Sequence, residues 1–314
     1  MEKTLMILTS HRLDCLKIAM DLLLKSDNLD PFDRLVFLLN GVEGAHLRYI
    51  QNIIAANPQH NWDTVSGPRG RSECISSLEN QCIRRYPNNI YVKMDEDIFV
   101  APGWATRLLD AYEQNRSTPN LALITPLIPN NAYTLYKLLD VFYRNHYDEY
   151  TRLFGEEPAP GIHSKLWSHP KPAEWATRLF LNLEQANTEH RSHLASSDLP
   201  EFIPFSDPFS IGCICFDYAH WEAMGEIPAK DEPEWCKWIQ DNNWTNILDC
   251  RQIALHYSFF VQQEWLDRTN LLEDIRRTNL PGTQTFPQRL GLVRLQRQIM
   301  QLPAIIKRRL AKKD

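Results

Sequence analysis

The stretch NIYVKMDEDIFVAPGW, residues 89–104, sets three acids directly behind a short apolar strand pattern. Asp95, Glu96 and Asp97 are adjacent, and apolar residues follow them at once. Three carboxylates crowded at the end of a strand repel one another, so a cation or solvent has to offset their charge. The stretch therefore predicts a strand that delivers acids to one edge of a sheet.

Strand patterns alternate with helix patterns around this stretch. The apolar runs that predict strands are TLMIL at 4–8, RLVFLLNG at 34–41, WDTVSG at 62–67 and LALITPL at 121–127. Between them, Leu and Ile recur at a spacing of three to four residues, which is typical of helices. The alternation predicts βαβ units and an α/β fold of Rossmann-like type, with a mostly parallel central sheet and helices on both faces.

Ligands of such sheets bind beyond the carboxyl ends of the strands. The loops predicted at that edge are residues 9–12 (Thr-Ser-His-Arg), residues 40–41 (Asn-Gly), the Gly-containing turn 67–71 and the acids 95–97. We expect all four loops to converge on one crevice.

Composition supports a packed protein that does not bind nucleic acid in general. Apolar residues make up 43% of the 314 residues, which is enough to fill a core. No run approaches the roughly 20 apolar residues of a membrane span, and the start of the chain lacks a signal-peptide pattern, so we expect a cytoplasmic protein. The net charge is −5, but residues 289–314 carry +7 and the remainder −12. An acidic body argues against nucleic-acid binding.

The basic end of the chain has a pattern of its own. Five apolar residues recur there at helical spacing, namely Leu292, Leu295, Ile299, Leu302 and Ile306. A basic amphipathic helix of this kind binds the surface of an anionic membrane, which predicts a peripheral location on the inner face of the membrane. The alternative is that the stripe packs on the body, and Pro303 interrupts a single long helix.

Asp95 and Asp97 have the spacing to turn two carboxylates toward one divalent cation, while Glu96 points elsewhere. Mg²⁺ or Mn²⁺ bound in this way keeps open positions for phosphate oxygens and neutralises a diphosphate leaving group. The alternative for a bare Asp-x-Asp is an exposed acidic turn that closes a strand.

The segment YVKMDEDIFVAPGW resembles the DxD segment of GT-A-fold nucleotide-sugar glycosyltransferases, the bacterial family-2 type among them. SIGCICFDYAHWEAMG, at 210–225, resembles the glycine-containing acceptor loop of those enzymes. The resemblance covers about residues 4–127 and 207–260. It implies a catalytic domain at 1–260, made of a nucleotide-sugar-binding half at 1–127, an irregular helical insertion at 128–206 and an acceptor half at 207–260, followed by a helical extension at 261–314.

The resemblance also implies roles for single residues. It gives the metal to Asp95, Asp97 and a late histidine, His256, for which a buried core histidine is the alternative. Residues implied in binding the nucleotide sugar are Thr9, Ser10, His11, Arg12, Asn40, Arg69, Arg71, Asp95 and Glu96. Arg69 and Arg71 have an equal alternative as solvated loop residues. Gly212 is implied in acceptor binding. Apart from the resemblance, Trp104 follows the acids closely and could stack on an acceptor sugar, with core packing as the alternative.

A glycosyltransferase that inverts the anomeric carbon needs a carboxylate to take the proton of the acceptor hydroxyl. The segment KDEPEW, at 230–235, matches the acidic segment that carries this base in the family, although Pro233 splits its acids. Asp231, Glu232 and Glu234 are all candidates. The alternative is a helix N-terminus enriched in acids, and a retaining mechanism also stays open.

These features predict a metal-dependent, hexosyltransferase-like enzyme. It would move a sugar from a nucleotide-diphosphate sugar to a glycan or lipid-linked acceptor in cell-surface polysaccharide synthesis. A sugar nucleotidyltransferase is one alternative, disfavoured because TSHRLD at 9–14 lacks the glycine-rich loop expected after the first strand. A non-catalytic, membrane-peripheral binding protein that retains the fold is another.

Overall fold

The computed structural model describes residues 1–161, 164–208, 210–259 and 261–282. Strands in this part of the chain are β1 (Lys3–Thr9), β2 (Arg34–Asn40), β3 (Trp62–Gly67), β4 (Ile90–Asp95), β5 (Ile98–Phe99), β6 (Leu121–Leu127), β7 (Phe202–Phe205), β8 (Cys213–Asp217), β9 (Thr245–Ile253) and β10 (Leu255–His256). Helices are α1 (Leu13–Leu24), α2 (Gly44–Ala56), α3 (Ser72–Arg85), α4 (Trp104–Asn115), α5 (Ala132–Lys137), α6 (Arg144–Phe154), α7 (Pro170–Leu179), α8 (Leu183–Ala195), α9 (Tyr218–Met224), α10 (Glu232–Asp241), α11 (Gln263–Leu266) and α12 (Leu271–Asn279).

Eight of the strands form one sheet in the order β3-β2-β1-β4-β8-β6-β9-β7. Strands β1 to β4 run parallel, and β6 runs parallel to β9, whereas β8 lies antiparallel between β4 and β6. The central strands are nearly continuous apolar runs because both of their faces are covered. In β1, for example, Leu5, Met6 and Ile7 are all fully buried.

The largest difference from the expected elements is β9. The apolar run QIALHYSFF at 252–260 predicts a last strand there, but β9 begins at Thr245 and ends at Ile253. Asp249 and Arg251 interrupt its apolar pattern, which is why the strand is not visible in the sequence. They pair with each other at 2.8 Å, and the strand buries the Asp249 carboxylate fully and most of the Arg251 side chain.

The region 128–206 is mostly helical, and it has a small apolar cluster of its own formed by Ala132, Leu135, Leu139, Tyr150, Leu166, Ala173 and Ala176. Its last helix, α8, is joined to β9 by polar contacts. The Asn187 side chain accepts from the Ile253 N–H and donates to the Ile253 carbonyl, both at 2.9 Å. These contacts satisfy backbone groups where the pairing of β9 with β6 shifts register.

A second, very short sheet joins distant parts of the chain. Strand β5 follows the acids 95–97 directly, and it pairs antiparallel with β10, so that His256 lies opposite Ile98. The Tyr257 N–H donates to the Asp97 carbonyl at 2.9 Å and extends this pairing by one more bond. The late segment is thereby fixed beside the end of β4.

The chain divides into the units Met1–Asn279 and Leu280–Asp314. The first unit includes α11 and α12, which the expected boundary at 260 had placed in the C-terminal extension. Of the second unit only residues 280–282 are described, so the predicted amphipathic helix at 289–314 lies outside the described residues. Among the described helices, none has both the length and the apolar character needed to cross a membrane.

Candidate metal and donor site

Asp95, Asp97 and His256 meet at the carboxyl end of β4. Each offers one ligand atom, and these atoms all lie within 4.8 Å of one another. The Asp97 Oδ1 and His256 Nε2 atoms are 3.3 Å apart. The Asp95 side chain is 27% exposed and those of Asp97 and His256 are 12% and 7% exposed, so the cluster opens to solvent on the Asp95 side.

Asp97 and His256 each favour the charged form of the other. Burial raises the pKa of Asp97, but the charge of His256 and the bond from it outweigh burial and leave the pKa below its ordinary value. Burial lowers the pKa of His256, and the Asp97 carboxylate in turn outweighs it and raises that pKa. The Asp97 carboxylate therefore keeps its charge although it is buried.

Gly212 provides room beside Asp95. A Cβ atom at this position would lie 3.0 Å from Asp95 Oδ2, which is closer than side chains normally approach. Two carboxylates and one imidazole form a donor set that suits Mn²⁺ or Mg²⁺, with Mn²⁺ the more tolerant of nitrogen. The donor set fits a divalent cation, and the lack of a side chain at Gly212 leaves Asp95 Oδ2 unobstructed on that side.

Glu96 turns away from Asp95 and Asp97 and binds the loop after β1. Its carboxylate accepts the backbone N–H groups of His11 and Arg12, both at 2.9 Å, and the Thr9 hydroxyl at 2.6 Å. His46 Nε2 lies 2.8 Å from the same hydroxyl. Glu96 and Thr9 thus fix the position of the loop, whose His11 side chain remains 40% exposed.

Arg12 points inward from that loop. Its guanidinium is bonded to Asp14 at 3.0 Å and paired with Asp267 at 3.0 Å, and it lies 4.7 Å from the centre of the Tyr257 ring. Tyr257 follows His256 directly. Arg12 therefore joins the first loop to the segment that carries His256.

Asn40, at the end of β2, fixes the turn 67–71. Its side chain accepts from the Gly70 N–H at 2.9 Å and donates to the Gly70 carbonyl at 3.0 Å, and its amide nitrogen lies 3.5 Å from Ser10 Oγ. Arg69 and Arg71, on either side of Gly70, are exposed. The loop 9–12 and the turn 67–71 are therefore adjacent through Asn40, as expected for loops at the carboxyl ends of neighbouring parallel strands.

Asp231 has the most unusual environment of the three candidate bases. It is buried, its backbone has φ of 56° and ψ of −126°, and its Oδ1 atom has no hydrogen-bond partner among the described residues. Such a backbone conformation is strained for any residue except glycine. Burial and, to a smaller extent, the charge of Asp95 raise the pKa of Asp231 to about 6, against the opposing charge of Lys93.

Glu232 and Glu234 differ from Asp231 and from each other. Glu232 Oε2 accepts from the Ile211 N–H at 3.1 Å, and burial raises the pKa of Glu232 to about 7. Glu234 forms an ion pair with Lys230 at 2.9 Å, which lowers its pKa. The partner of Glu234 is an exposed lysine, so this carboxylate is directed to solvent.

Trp104 is 1% exposed and belongs to the main apolar core. Its ring has no free face for a sugar, so we leave it out of the proposed site and adopt the core-packing alternative.

Two buried charged residues of this region escaped the sequence analysis. Lys93 lies two residues before Asp95 on β4, and its Nζ atom is 2.9 Å from Asp95 Oδ1 and 3.7 Å from Glu79 Oε1 of α3. A lysine in an otherwise apolar strand pattern was the available signal for Lys93. Glu79 gave no local signal, because its partner is close only in three dimensions.

Comparison with known proteins finds similarity in fold but none in sequence. No family model matches the chain, and no curated protein matches it. Mannosyltransferase PcManGT from Pyrobaculum calidifontis, solved with GDP-Man and Mn²⁺, aligns over 96% of this chain and 80% of its own, with 10% identity and a TM-score of 0.50. GalNAc-T7, solved with UDP, GalNAc and Mn²⁺, aligns over 88% of this chain and 47% of its own, with 10% identity and a TM-score of 0.51.

At this level of identity the likeness concerns the fold alone. The predicted fold class, a GT-A-like α/β fold with a mostly parallel central sheet flanked by helices, is confirmed by the eight-stranded sheet and by both structures. A 4-diphosphocytidyl-2C-methyl-D-erythritol synthase from Anaerococcus prevotii aligns over only 41% of this chain, with a TM-score of 0.31, which supports no argument.

Proposed function

We propose that this protein is a metal-dependent glycosyltransferase that moves a sugar from a nucleotide-diphosphate sugar to an acceptor hydroxyl. One observation carries the proposal: His256, distant in sequence, meets Asp95 and Asp97 at the carboxyl end of β4 in a GT-A-like sheet. That edge is where open α/β sheets bind ligands. The two similar structures were solved with a nucleotide or nucleotide sugar and Mn²⁺, which supports the same ligand class here.

Asp95, Asp97 and His256 would hold Mn²⁺ or Mg²⁺. When bound, the ion supplies positive charge to the diphosphate that leaves. The loop fixed by Glu96, with the His11 side chain exposed, and the loop fixed by Asn40, with Arg69 and Arg71 exposed, form the adjacent donor surface. Their backbones are held by buried bonds, so the surface is preorganised before the donor binds.

Asp231 is the base in this proposal, and the reaction inverts the anomeric carbon. The acceptor oxygen forms a bond to the anomeric carbon as the bond from that carbon to the diphosphate oxygen breaks. The hydroxyl proton passes to the Asp231 carboxylate, and the electron pair of the broken bond leaves with the nucleoside diphosphate. A buried carboxylate with a pKa of about 6 is ionised at neutral pH and basic enough to accept a proton.

Asp231 is preferred to the other two acids because of their partners. Glu232 is engaged by the Ile211 N–H, and Glu234 by Lys230. Asp231 alone of the three has a buried oxygen without a partner in the described structure and a strained backbone. Strain of this kind concentrates at functional sites, where the surrounding structure maintains it.

The acceptor class and the location of the enzyme rest on sequence. We infer a glycan or lipid-linked acceptor in cell-surface polysaccharide synthesis, and a cytoplasmic enzyme at the inner face of the membrane, from the basic apolar pattern at 289–314. Sedimentation with anionic vesicles tests this. Binding that persists in high salt, or after deletion of 289–314, would contradict it.

The reaction is tested by screening nucleotide sugars with Mn²⁺ for release of nucleoside diphosphate, first with water and then with glycan acceptors. We expect turnover with at least one donor, lost in EDTA and restored by Mn²⁺. Thermal stabilisation by a nucleotide sugar without turnover would indicate a binding protein instead. Release of pyrophosphate from a nucleoside triphosphate and a sugar phosphate would indicate a nucleotidyltransferase.

A further inference from the structure

Lys93 is a buried cation whose partners all belong to the metal end of the molecule. Its side chain is 3% exposed. Its ammonium lies 2.9 Å from Asp95 Oδ1 and 3.7 Å from Glu79 Oε1, and it donates to the Ile211 carbonyl at 3.1 Å. A lysine is seldom fully buried unless it is paired, because removing an ammonium from water is costly.

The position of Lys93 follows from strand geometry. Side chains two residues apart on a strand lie on the same face, so Lys93 on β4 lies beside Asp95. The neighbouring positions of β4 are apolar and fully buried, as at Tyr91 and Val92. An apolar residue at position 93 would therefore satisfy the strand, so its packing alone does not explain a lysine there.

Lys93 also joins Asp95 to the segment 210–212. The Asp95 N–H donates to the Gly212 carbonyl at 2.9 Å, while Lys93 donates to the carbonyl of Ile211. The Ile211 N–H in turn donates to Glu232, next to Asp231. One ammonium thus contacts the predicted metal ligand and the backbone that leads to the proposed base.

We propose that Lys93 is a positioning residue for metal binding, whose ammonium holds one carboxylate oxygen of Asp95 so that the other is presented as a ligand. Groups that orient metal ligands in this way typically contribute ten- to hundredfold to metal affinity. The inference rests on the proposed function only in taking Asp95 as a metal ligand.

Positioning and simple charge make opposite predictions for Lys93. If the ammonium mattered only through its charge, replacing it by an apolar residue would strengthen Mn²⁺ binding, because a positive charge next to the ligand has been removed. If it positions Asp95, the same replacement weakens Mn²⁺ binding, because the carboxylate loses its fixed orientation. The sign of the change in affinity therefore separates the two roles.

The experiment measures Mn²⁺ affinity directly, by titrating the full chain and following free Mn²⁺ by electron paramagnetic resonance without any sugar donor. We expect Lys93→Met to bind Mn²⁺ about 10- to 100-fold more weakly than wild type. The matched control is Arg251→Met, which removes the cation from the buried pair of Arg251 and Asp249 in β9. It should lower the melting temperature and leave Mn²⁺ affinity unchanged.

A double variant covers the case in which Lys93→Met does not fold. Removing one member of a buried ion pair is costly because the other is left uncompensated, so Glu79→Met with Lys93→Met should melt at a higher temperature than Lys93→Met alone, although Asp95 still lacks its cation. The inference expects its Mn²⁺ affinity to remain reduced. Wild-type affinity in a folded Lys93→Met or double variant, or tighter binding, overturns the inference alone. A wild-type protein that binds no Mn²⁺ overturns it together with the proposed metal site.

Discussion

The acidic segments 95–97 and 231–234 each place three carboxylates near one edge of the sheet, yet their surroundings differ. In the first segment every carboxylate has a partner: Lys93 for Asp95, backbone and hydroxyl donors for Glu96, and His256 for Asp97. In the second, Asp231 is buried with one oxygen that has no partner in the described structure.

The difference shows that burial and partners together decide what a buried acid can do, since burial raises the pKa of Asp95 even beside Lys93. Asp97 is buried and paired, so its pKa falls and it remains an anion suited to hold a cation. Asp231 is buried with less compensation, so its pKa rises to about 6 and it is suited to take up a proton. In the proposed mechanism, two groups with similar chemistry have separate roles because their environments differ.

The largest effect should come from the first segment. Asp97→Asn keeps the size of the side chain and removes its charge, so Mn²⁺ binding should be lost. Transfer should fall by about a thousandfold or more, since a metal ion contributes several kcal/mol to departure of the diphosphate. Activity assays at saturating Mn²⁺ and circular dichroism would check this.

The matched control for that change is Asp110→Asn, at an exposed position of α4. It should leave activity and Mn²⁺ affinity as in wild type. Near-normal turnover of Asp97→Asn would remove Asp97 from the metal site and with it the first half of the comparison.

The next largest effect should come from the second segment. Asp231→Asn should lower kcat by about a hundredfold, because an amide cannot accept the hydroxyl proton, while Mn²⁺ and donor affinities stay unchanged. Glu234→Gln, in the same segment but paired with exposed Lys230, serves as the control and should change kcat by less than about twofold. If Asp231→Asn keeps wild-type turnover, the base lies elsewhere or the mechanism is not inverting.

A smaller effect, in the pH profile, sharpens the same assignment. Asp231 must be ionised to act as a base, so kcat/KM should be flat at neutral pH and fall about tenfold per pH unit below its pKa. The pKa is raised to about 6 by burial, and bound Mn²⁺ lowers it, so the fall should begin at or below pH 6. A profile that begins to fall well above pH 7 would argue against Asp231.

The smallest expected effect is a loss of stability at Glu96, which binds the loop after β1 and, unlike Asp95 and Asp97, is not a proposed metal ligand. Glu96→Gln removes one of the acceptor oxygens that hold the loop after β1, so we expect a loss of about 1–3 kcal/mol in the free energy of unfolding. Urea denaturation measures this, and Glu113→Gln on the surface of α4 should change it by less than about 0.5 kcal/mol. Equal effects of the two changes would mean that Glu96 does not fix the loop.

The first half of the fold is predictable from the sequence because its signals are local. Strands β1, β2, β4 and β6 are apolar runs of the expected length, and each is followed by a turn or helix pattern. Strand β9 was misjudged because Asp249 and Arg251 resemble an exposed segment when their mutual pairing is unknown. The predicted amphipathic tail lies outside the described residues and stays a prediction.

The site residues likewise divide into those marked by a local sequence pattern and those that depend on contacts between distant segments. Adjacent residues such as Asp95 and Asp97 were identified from spacing, and the structure brings His256 to them through the pairing of β5 with β10. The inward direction of Arg12 and the pairing of Lys93 with Glu79 depend on contacts between distant segments, which no local pattern encodes.

The two-stranded sheet of β5 and β10 has a consequence for folding during synthesis. On the ribosome the amino-terminal strands emerge first and can begin to pair early, while His256 is still to be made. A nascent or prematurely terminated chain thus carries Asp95 and Asp97 without their third partner. Because an ion that binds only the finished fold stabilises only that fold, metal binding at this site would add stability only after residue 256 is in place.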